Sequence, residues 1–355
     1  MTSEADTDLE QGTLHPRLQF DFFGHDTAEA ELAASLDGQR LHHAWLVSGA
    51  KGLGKATLAY RFARRALGAK ANPARPLATA PDDPVSRQVA ALSHPDLFVL
   101  RRSLGPTGKP RQEITAEEAR ALPGFFSLKS ASGGRRVAIV DCVDDLNRHA
   151  ANALLKALEE PPAHALLILI CHAPGAALAT IRSRCRRLRL HPLDEATMQT
   201  AMASLGTGPL DKGVIELAGG RPGRAIALEA LKAGAMRTQA RAALAALWRE
   251  GGKALAPMAF AGGPASQRLP LLIEIVQDWI RQSQLARAGL SLNHPSSADP
   301  ALVAALSTPG HAADWAGAWQ ALEDLRAETE GLDLDPSLAL ARIAGILDRA
   351  RPSRP

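Results

Sequence analysis

Residues Gly49 to Lys55 read Gly-Ala-Lys-Gly-Leu-Gly-Lys and fit the spacing G-x-x-x-x-G-K. Glycines at 49, 52 and 54 let backbone N–H groups curl around phosphate oxygens, and Lys55 adds a point charge at the β/γ end. The next position should carry a hydroxyl for Mg²⁺, and here it is Ala56. Thr57 has a hydroxyl, but one residue late, about 100° further round a helix. A second run, Arg136-Val-Ala-Ile-Val-Asp141, ends in a carboxylate of the kind that positions Mg²⁺ in phosphate-loop ATPases. Beside it, where a branch of such ATPases usually carries a glutamate that polarises water, stands Cys142. A thiol cannot take the water's proton as a carboxylate would at neutral pH. Asp144 and Asp145 lie beyond the strand end and are expected to cap the next helix. With the metal hydroxyl and the base absent together, these residues describe a nucleotide site kept for binding or shape.

The elements that must position them are legible. His43 to Ser48 is a short apolar run, expected as a buried parallel strand before the glycine loop. Ala56 to Leu67 has helical composition, with Gly68 as its stop. Ala28 to Leu36 is an expected helix, residues 69 to 84 an irregular Ala/Pro-rich connection, and Asp96 to Leu100 a strand. Thr115 with Glu118 forms a capping box. Asn147 to Leu158 is helical and stops at Pro161-Pro162, and Leu166 to Ile170 is a further buried strand. Strands alternating with helices imply a mostly parallel α/β sheet covered on both faces.

From about residue 190 the pattern turns almost wholly helical. Segments 194–205, 212–218, 223–233 and 236–250 would form a small helical lid. Gly251-Gly252 and Gly262-Gly263-Pro264 are candidate breaks, and 269–285, 312–326 and a helix from Pro336 would build an all-α C-terminal domain. Trp279, Trp315 and Trp319 fall at helical spacing and are expected to pack in its core. The expected division is a flexible leader over 1–20, a phosphate-loop domain over 21–190, a lid over 191–250 and a helical oligomerisation domain over 251–355.

At 355 residues the chain is long enough for two or three domains. A hydrophobic share of 46% with 22% charged residues describes a folded chain and excludes a disordered one. The net charge of +4 permits contact with nucleic acid without demanding it. Cys142, Cys171 and Cys185 are far apart, so no local zinc module and no disulfide scaffold is indicated. The polar, acidic start lacks the pattern of a signal peptide, and the apolar runs are far short of a membrane span. A cytoplasmic protein with no membrane partner is expected.

Three motifs carry a family resemblance. Asn152-Ala-Leu-Leu-Lys-Ala-Leu-Glu-Glu-Pro-Pro162, just after the aspartate strand, resembles the AAA+ clamp-loader subunits of replicative DNA polymerases. Ser183-Arg184-Cys185 is similar to that family's Ser-Arg-Cys motif, and Gly219-Gly-Arg-Pro-Gly-Arg224 looks like its second sensor. A degraded ATP site beside an intact Ser-Arg-Cys motif most resembles the bacterial delta-prime branch of polymerase III loaders. The resemblance implies an AAA+ domain followed by a helical lid and an all-α collar. It implies a stator role in a loader that opens a sliding clamp and places it on primed DNA. The partners would be gamma/tau-like ATPase subunits and a delta subunit. Arg184 takes the position of an arginine finger that reaches ATP held by the adjacent subunit, and Arg224 that of the second sensor. Read from residues alone, Arg184 is one of five arginines between 182 and 189. Two departures stand out. The cysteine-rich zinc module common in such loaders is missing from residues 69–92, so no zinc is expected. The first-sensor position, commonly Thr or Asn, is Cys171-His172.

Three functions remain open at this point. One is a stator that donates Arg184, hydrolyses little or nothing and has no catalysis of its own inside the polymerase holoenzyme. The second is a working gamma/tau-like motor using Lys55, Thr57 and Asp141. The third is a nucleic-acid-binding module on a vestigial ATPase fold, with salt-sensitive DNA binding. A degenerate site made of Gly49, Gly52, Gly54, Lys55, Thr57, Asp141 and Arg224 is expected to retain residual ATP or ADP binding, with no cofactor required.

Overall fold

The computed structural model describes residues 12–38, 41–73, 75–106, 108, 111–162, 164–173, 175, 178–250, 265–289, 312–331 and 335–350. They divide into two compact units, Met1–Gly208 with Gly220–Arg224, and Pro209–Gly219 with Ala225–Pro355. Segment 194–205 of the expected lid therefore goes with the first unit, and segments 212–218 and 236–250 with the second.

The first unit is built on a parallel five-stranded sheet in the order β2-β3-β4-β1-β5. The strands are β1 (Ala44–Ser48), β2 (Leu97–Arg101), β3 (Arg136–Asp141), β4 (Ala165–Cys171) and β5 (Arg186–Arg189). The three central strands are buried along their whole length, which is why they read as continuous apolar runs and not as alternating ones. The edge strand β5 buries only Leu188 and exposes three arginines, a charged edge that discourages pairing with another chain.

Helices α1 (Asp26–Asp37), α2 (Lys55–Ala66) and α3 (Pro84–Ala90) cover one face of the sheet, around Trp45, Leu58, Phe62 and Ile168. Helices α4 (Ala116–Ser127), α5 (Arg148–Glu159) and α6 (Ala179–Arg182) cover the other, around Leu122, Leu154, Leu167 and Leu169. The capping box at Thr115 is present: Thr115 N–H donates to Glu118 Oε2 at 2.6 Å, and Glu118 N–H to Thr115 Oγ1 at 3.4 Å. Helix α3 has no counterpart among the expected elements; Pro84 at its first turn and the Asp83 side chain, accepting from Ser86 N–H, start it. Helix α7 (Glu195–Ser204) begins at Asp194, whose carboxylate accepts from Thr197 N–H at 2.8 Å.

Residues 12–20 differ from the leader expected there. His15 is 3% exposed, Arg17 Nε donates to Ala90 O at 3.1 Å, and the carbonyls of Arg17 and Phe20 accept from Arg64 and Arg61. The reason lies in α2. Arg61 and Arg64 are buried, and a buried guanidinium must be met by acceptors. The arriving segment supplies carbonyls, and its Phe20 ring lies 4.0 Å from the Arg64 guanidinium. Glu29 of α1 completes the cluster, accepting from Arg61 Nε at 2.9 Å and Arg75 at 3.1 Å. Arg64 remains poorly served, and burial pulls its pKa down to about 10.

The second unit is helical in its described residues: α8 (Lys212–Ala218), most of α9 (Pro222–Ala230), α10 (Ala233–Glu250), α11 (Ala265–Arg287), α12 (Ala312–Gly331) and α13 (Pro336–Ala350). Helix α11 buries Leu269, Leu272, Val276, Trp279 and Ile280, spaced for one helical face. Helix α12 packs against it and buries Trp315, Leu322 and Leu325, and α13 packs against both and buries Leu340, Ile343 and Leu347. Trp279 and Trp315 are core residues as expected; Trp319 is not, at 39% exposed. Its backbone, not its ring, serves the packing: the carbonyl accepts from Gln277 Nε2 at 3.3 Å. The expected glycine breaks at 251–252 and 262–264 lie outside the described residues. Among the described residues no helix is long and apolar enough to cross a membrane.

Candidate functional site

The phosphate loop leaves the end of β1 and enters α2, so strand, loop and helix follow in the order the spacing requires. Lys55 and several loop carbonyls are bonded within the chain. Lys55 Nζ donates to Gly49 O at 2.6 Å and to Ala50 O at 2.7 Å. Gly52 O accepts from Gly223 N–H at 2.9 Å, so an orphan donor at the start of α9 is satisfied by the loop. Gly52 has φ +88°, and a Cβ there would lie 2.8 Å from Arg224 N. Gly49 has φ +145°, and a Cβ there would lie 2.6 Å from Leu190 O. Both glycines thus admit close backbone approach from elsewhere in the unit. The Phe22 ring packs over Gly54 from a third direction.

The electrostatics follow from this closure. Lys55 is 3% exposed, and burial lowers its pKa to about 8 against the pull of Asp141 and Asp144. Asp141 is buried at the end of β3, and Thr57 is buried within α2. Cys142 is buried too, and desolvation, with Asp145, Asp144 and Asp141 nearby, pushes its thiol far above the usual range. At neutral pH it is held as the protonated thiol.

Asp144 has a role that differs from the expected helix cap. Its carboxylate accepts from His172 N–H at 2.6 Å, from Ala173 N–H at 2.9 Å and from Cys171 Sγ at 3.6 Å. The α5 cap is Asn147, whose Oδ1 accepts from Ala150 N–H at 2.9 Å, and Asp145 pairs with Arg102 at 3.0 Å. Asp144 is partly desolvated, but the two backbone bonds hold its pKa below the ordinary value, and it is spent on tying the end of β4. Cys171 is pushed up to about 12 by burial and Asp144. His172 is lowered to about 4 by burial, with Lys55 adding to the effect, so its ring is neutral near pH 7.

The residues fit a nucleotide's phosphates in part. Lys55 and the loop's backbone N–H groups can meet phosphate oxygens and Asp141 can face a metal, whereas the hydroxyl that would join it is replaced by Ala56 and the usual neighbouring carboxylate by Cys142. Among the described residues no cluster of His, Cys, Asp and Glu could hold a metal ion.

Arg184 belongs to a separate cluster at the end of α6. Ser183 Oγ donates to Thr180 O at 3.0 Å and closes the turn, while Cys185 inserts into the core beneath, its thiol pushed up to about 12 by burial. Between these two anchors Arg184 reaches outward. Its Nη1 donates to Thr180 O at 3.0 Å and Ser183 Oγ at 3.3 Å, and its Nη2 lies 2.8 Å from Glu159 Oε1. The five-arginine run is therefore not one strand: Arg182 ends α6, Arg184 sits in the turn, and only 186, 187 and 189 lie on β5. The structure thus gathers Gly49, Gly52, Gly54, Lys55, Asp141 and Arg224 around one loop, with Thr57 in the helix behind it, and sets Arg184 apart. Neither the Asp144 tie nor the partner of Arg184 has a signal in the sequence.

A family model described as DNA polymerase III, delta subunit, matches residues 24–194. The chain is 32% identical over 259 residues to the DNA polymerase III subunit delta' of Pseudomonas aeruginosa, covering 70% of this chain and 74% of that one. The chain belongs to the DNA polymerase III delta-prime family of clamp-loader subunits. The delta' of Escherichia coli is 31% identical over 200 residues, covering 56% of this chain and 58% of that one. The Escherichia coli subunit tau is also 31% identical, over 179 residues, covering 50% of this chain but 26% of tau.

Proposed function

We propose that the chain is a stator of the polymerase III clamp loader, one that donates Arg184 to ATP bound by an adjacent gamma/tau-like subunit and hydrolyses little or none itself. The observation that carries this is the loss of two parts from one site: Ala56 stands in place of the metal hydroxyl, and Cys142, a buried thiol, stands beside Asp141. Arg184, by contrast, is 35% exposed and permanently charged, a planar fork suited to a phosphate oxygen. Supplied in trans, such a group stabilises charge on the transferred phosphoryl group. The remaining partners under this reading are the delta subunit, the sliding clamp and primed DNA, met through a cytoplasmic assembly.

The test is steady-state ATP hydrolysis by the purified chain with Mg²⁺, then by the complex reconstituted with its ATPase subunits, clamp and primed DNA. No turnover is expected from the chain alone. Clear turnover lost on Lys55→Ala would replace the stator with a gamma/tau-like motor. Residual ATP or ADP binding would draw Lys55 from its carbonyls onto phosphate, beside the loop's N–H groups. Calorimetric titration is expected to give heat with little Mg²⁺ dependence, and no heat with either nucleotide would remove the residual site.

A further inference from the structure

Glu159 is the last residue of α5, and its carboxylate holds the guanidinium of Arg184 at 2.8 Å. That place is not good for a glutamate as far as the helix is concerned. The C-terminal end of a helix carries partial negative charge, so a carboxylate there is disfavoured, while Lys156 in the same last turn is favoured. The carboxylate is instead compensated by an arginine from the turn after α6.

We propose that Glu159 is a latch: a positioning residue that binds Arg184 within this chain and yields it to a phosphate presented by the neighbouring subunit. The proposal rests on the finger assignment above and adds its regulation. The two side chains are 35% and 49% exposed, so water screens the pair and it opens readily. A terminal phosphate carries more charge and more acceptor oxygens than one carboxylate and wins the guanidinium when it arrives. The exchange need not rebuild the corner. Nη1 stays on Thr180 O and Ser183 Oγ, Cys185 stays buried, and only the Nη2 end changes partner. While Glu159 holds it, Arg184 is oriented but partly neutralised, and the neighbour's site lacks its full charge. No bond is made or broken in this step beyond the ion pair.

The latch is tested in the reconstituted complex without DNA, by measuring kcat and KM for ATP with the wild type, Glu159→Gln, Arg184→Ala and the double variant. Glu159→Gln is expected to raise kcat about two- to fivefold, the range an exposed pair supports, with KM unchanged. Arg184→Ala is expected to lower kcat, and the double variant to match Arg184→Ala alone. Glu159→Asp retracts the carboxylate by one methylene and should also raise kcat, guarding against an effect of glutamine itself. A kcat that stays level or falls in both Glu159 variants, with Arg184→Ala still low, overturns the latch and leaves the finger standing. An unchanged kcat in Arg184→Ala removes the finger and the latch with it. A rise in Glu159→Gln that persists in the double variant overturns the latch as well, because the effect then does not pass through Arg184.

Discussion

The phosphate loop and the Ser-Arg-Cys corner come from one domain and have met opposite fates. In and around the loop the side chains are turned inward: Lys55 onto the carbonyls of Gly49 and Ala50, and Asp144 onto the end of β4. In the corner, two residues are turned inward so that the third stays available. Ser183 closes the turn, Cys185 is buried, and Arg184 keeps a partner that water screens. Under the stator reading proposed above, a nucleotide motif persists as a packing element after its chemistry has gone. A buried polar group costs stability unless it is bonded, so a disused loop either binds its own polar atoms or destabilises the fold. An exposed arginine is under no such pressure.

The comparison breaks most decisively at Arg184. Arg184→Ala should reduce turnover at the facing ATP site by about a thousandfold or more, the range found for arginine fingers, while the chain's melting temperature stays level. Unchanged turnover in the assembled complex would make the corner as inert as the loop. Next in size is Gly52→Ala. A side chain there meets Arg224 N and forces a positive φ, so a loss of about 2–3 kcal/mol in unfolding free energy is expected by denaturant titration. Full stability in that variant would mean that the loop is not held against the start of α9.

Lys55→Met sharpens the loop side through its pH dependence. The folded pKa of about 8 lies below the unfolded value near 10.5, so the unfolded chain binds more protons between them. Wild-type stability should therefore gain over Lys55→Met as pH rises from 8 towards 10.5. A constant difference across that window would place Lys55 in water. His172→Gln is read on the acid side, and its effect is the smallest because the residue is only half-buried and partly screened by water. Its folded pKa of about 4 is below the ordinary 6.5, so the wild type loses stability as pH falls from 6.5 to 4 and the variant loses less. Identical acid limbs would show that His172 is not buried beside Lys55.

Much of the first unit is legible in the sequence. Spacing marks the strand, glycine loop and helix, short apolar runs mark β3 and β4, and Thr115 with Glu118 marks α4. Helix α3 is hidden by the Ala/Pro-rich stretch ahead of it, and the role of residues 12–20 by their lack of periodicity. The site is legible as a set of residue types. Ala56 and Cys142 alone argue that hydrolysis is lost. They carry no sign of where the remaining charges go.

That boundary has a physical cause. Glycine spacing, capping residues and apolar runs act over a few neighbouring residues, so the sequence by itself determined the order of elements, the broken nucleotide motif and the family-like arginine. The partners of charged groups were decided only by the tertiary structure. Asp144 finds its amides 28 and 29 residues away, Arg64 its carbonyl 47 residues away, and Arg184 its carboxylate on the preceding long helix. A charge accepts any suitable partner that the fold brings within reach, and which one arrives depends on how the sheet and its helices pack.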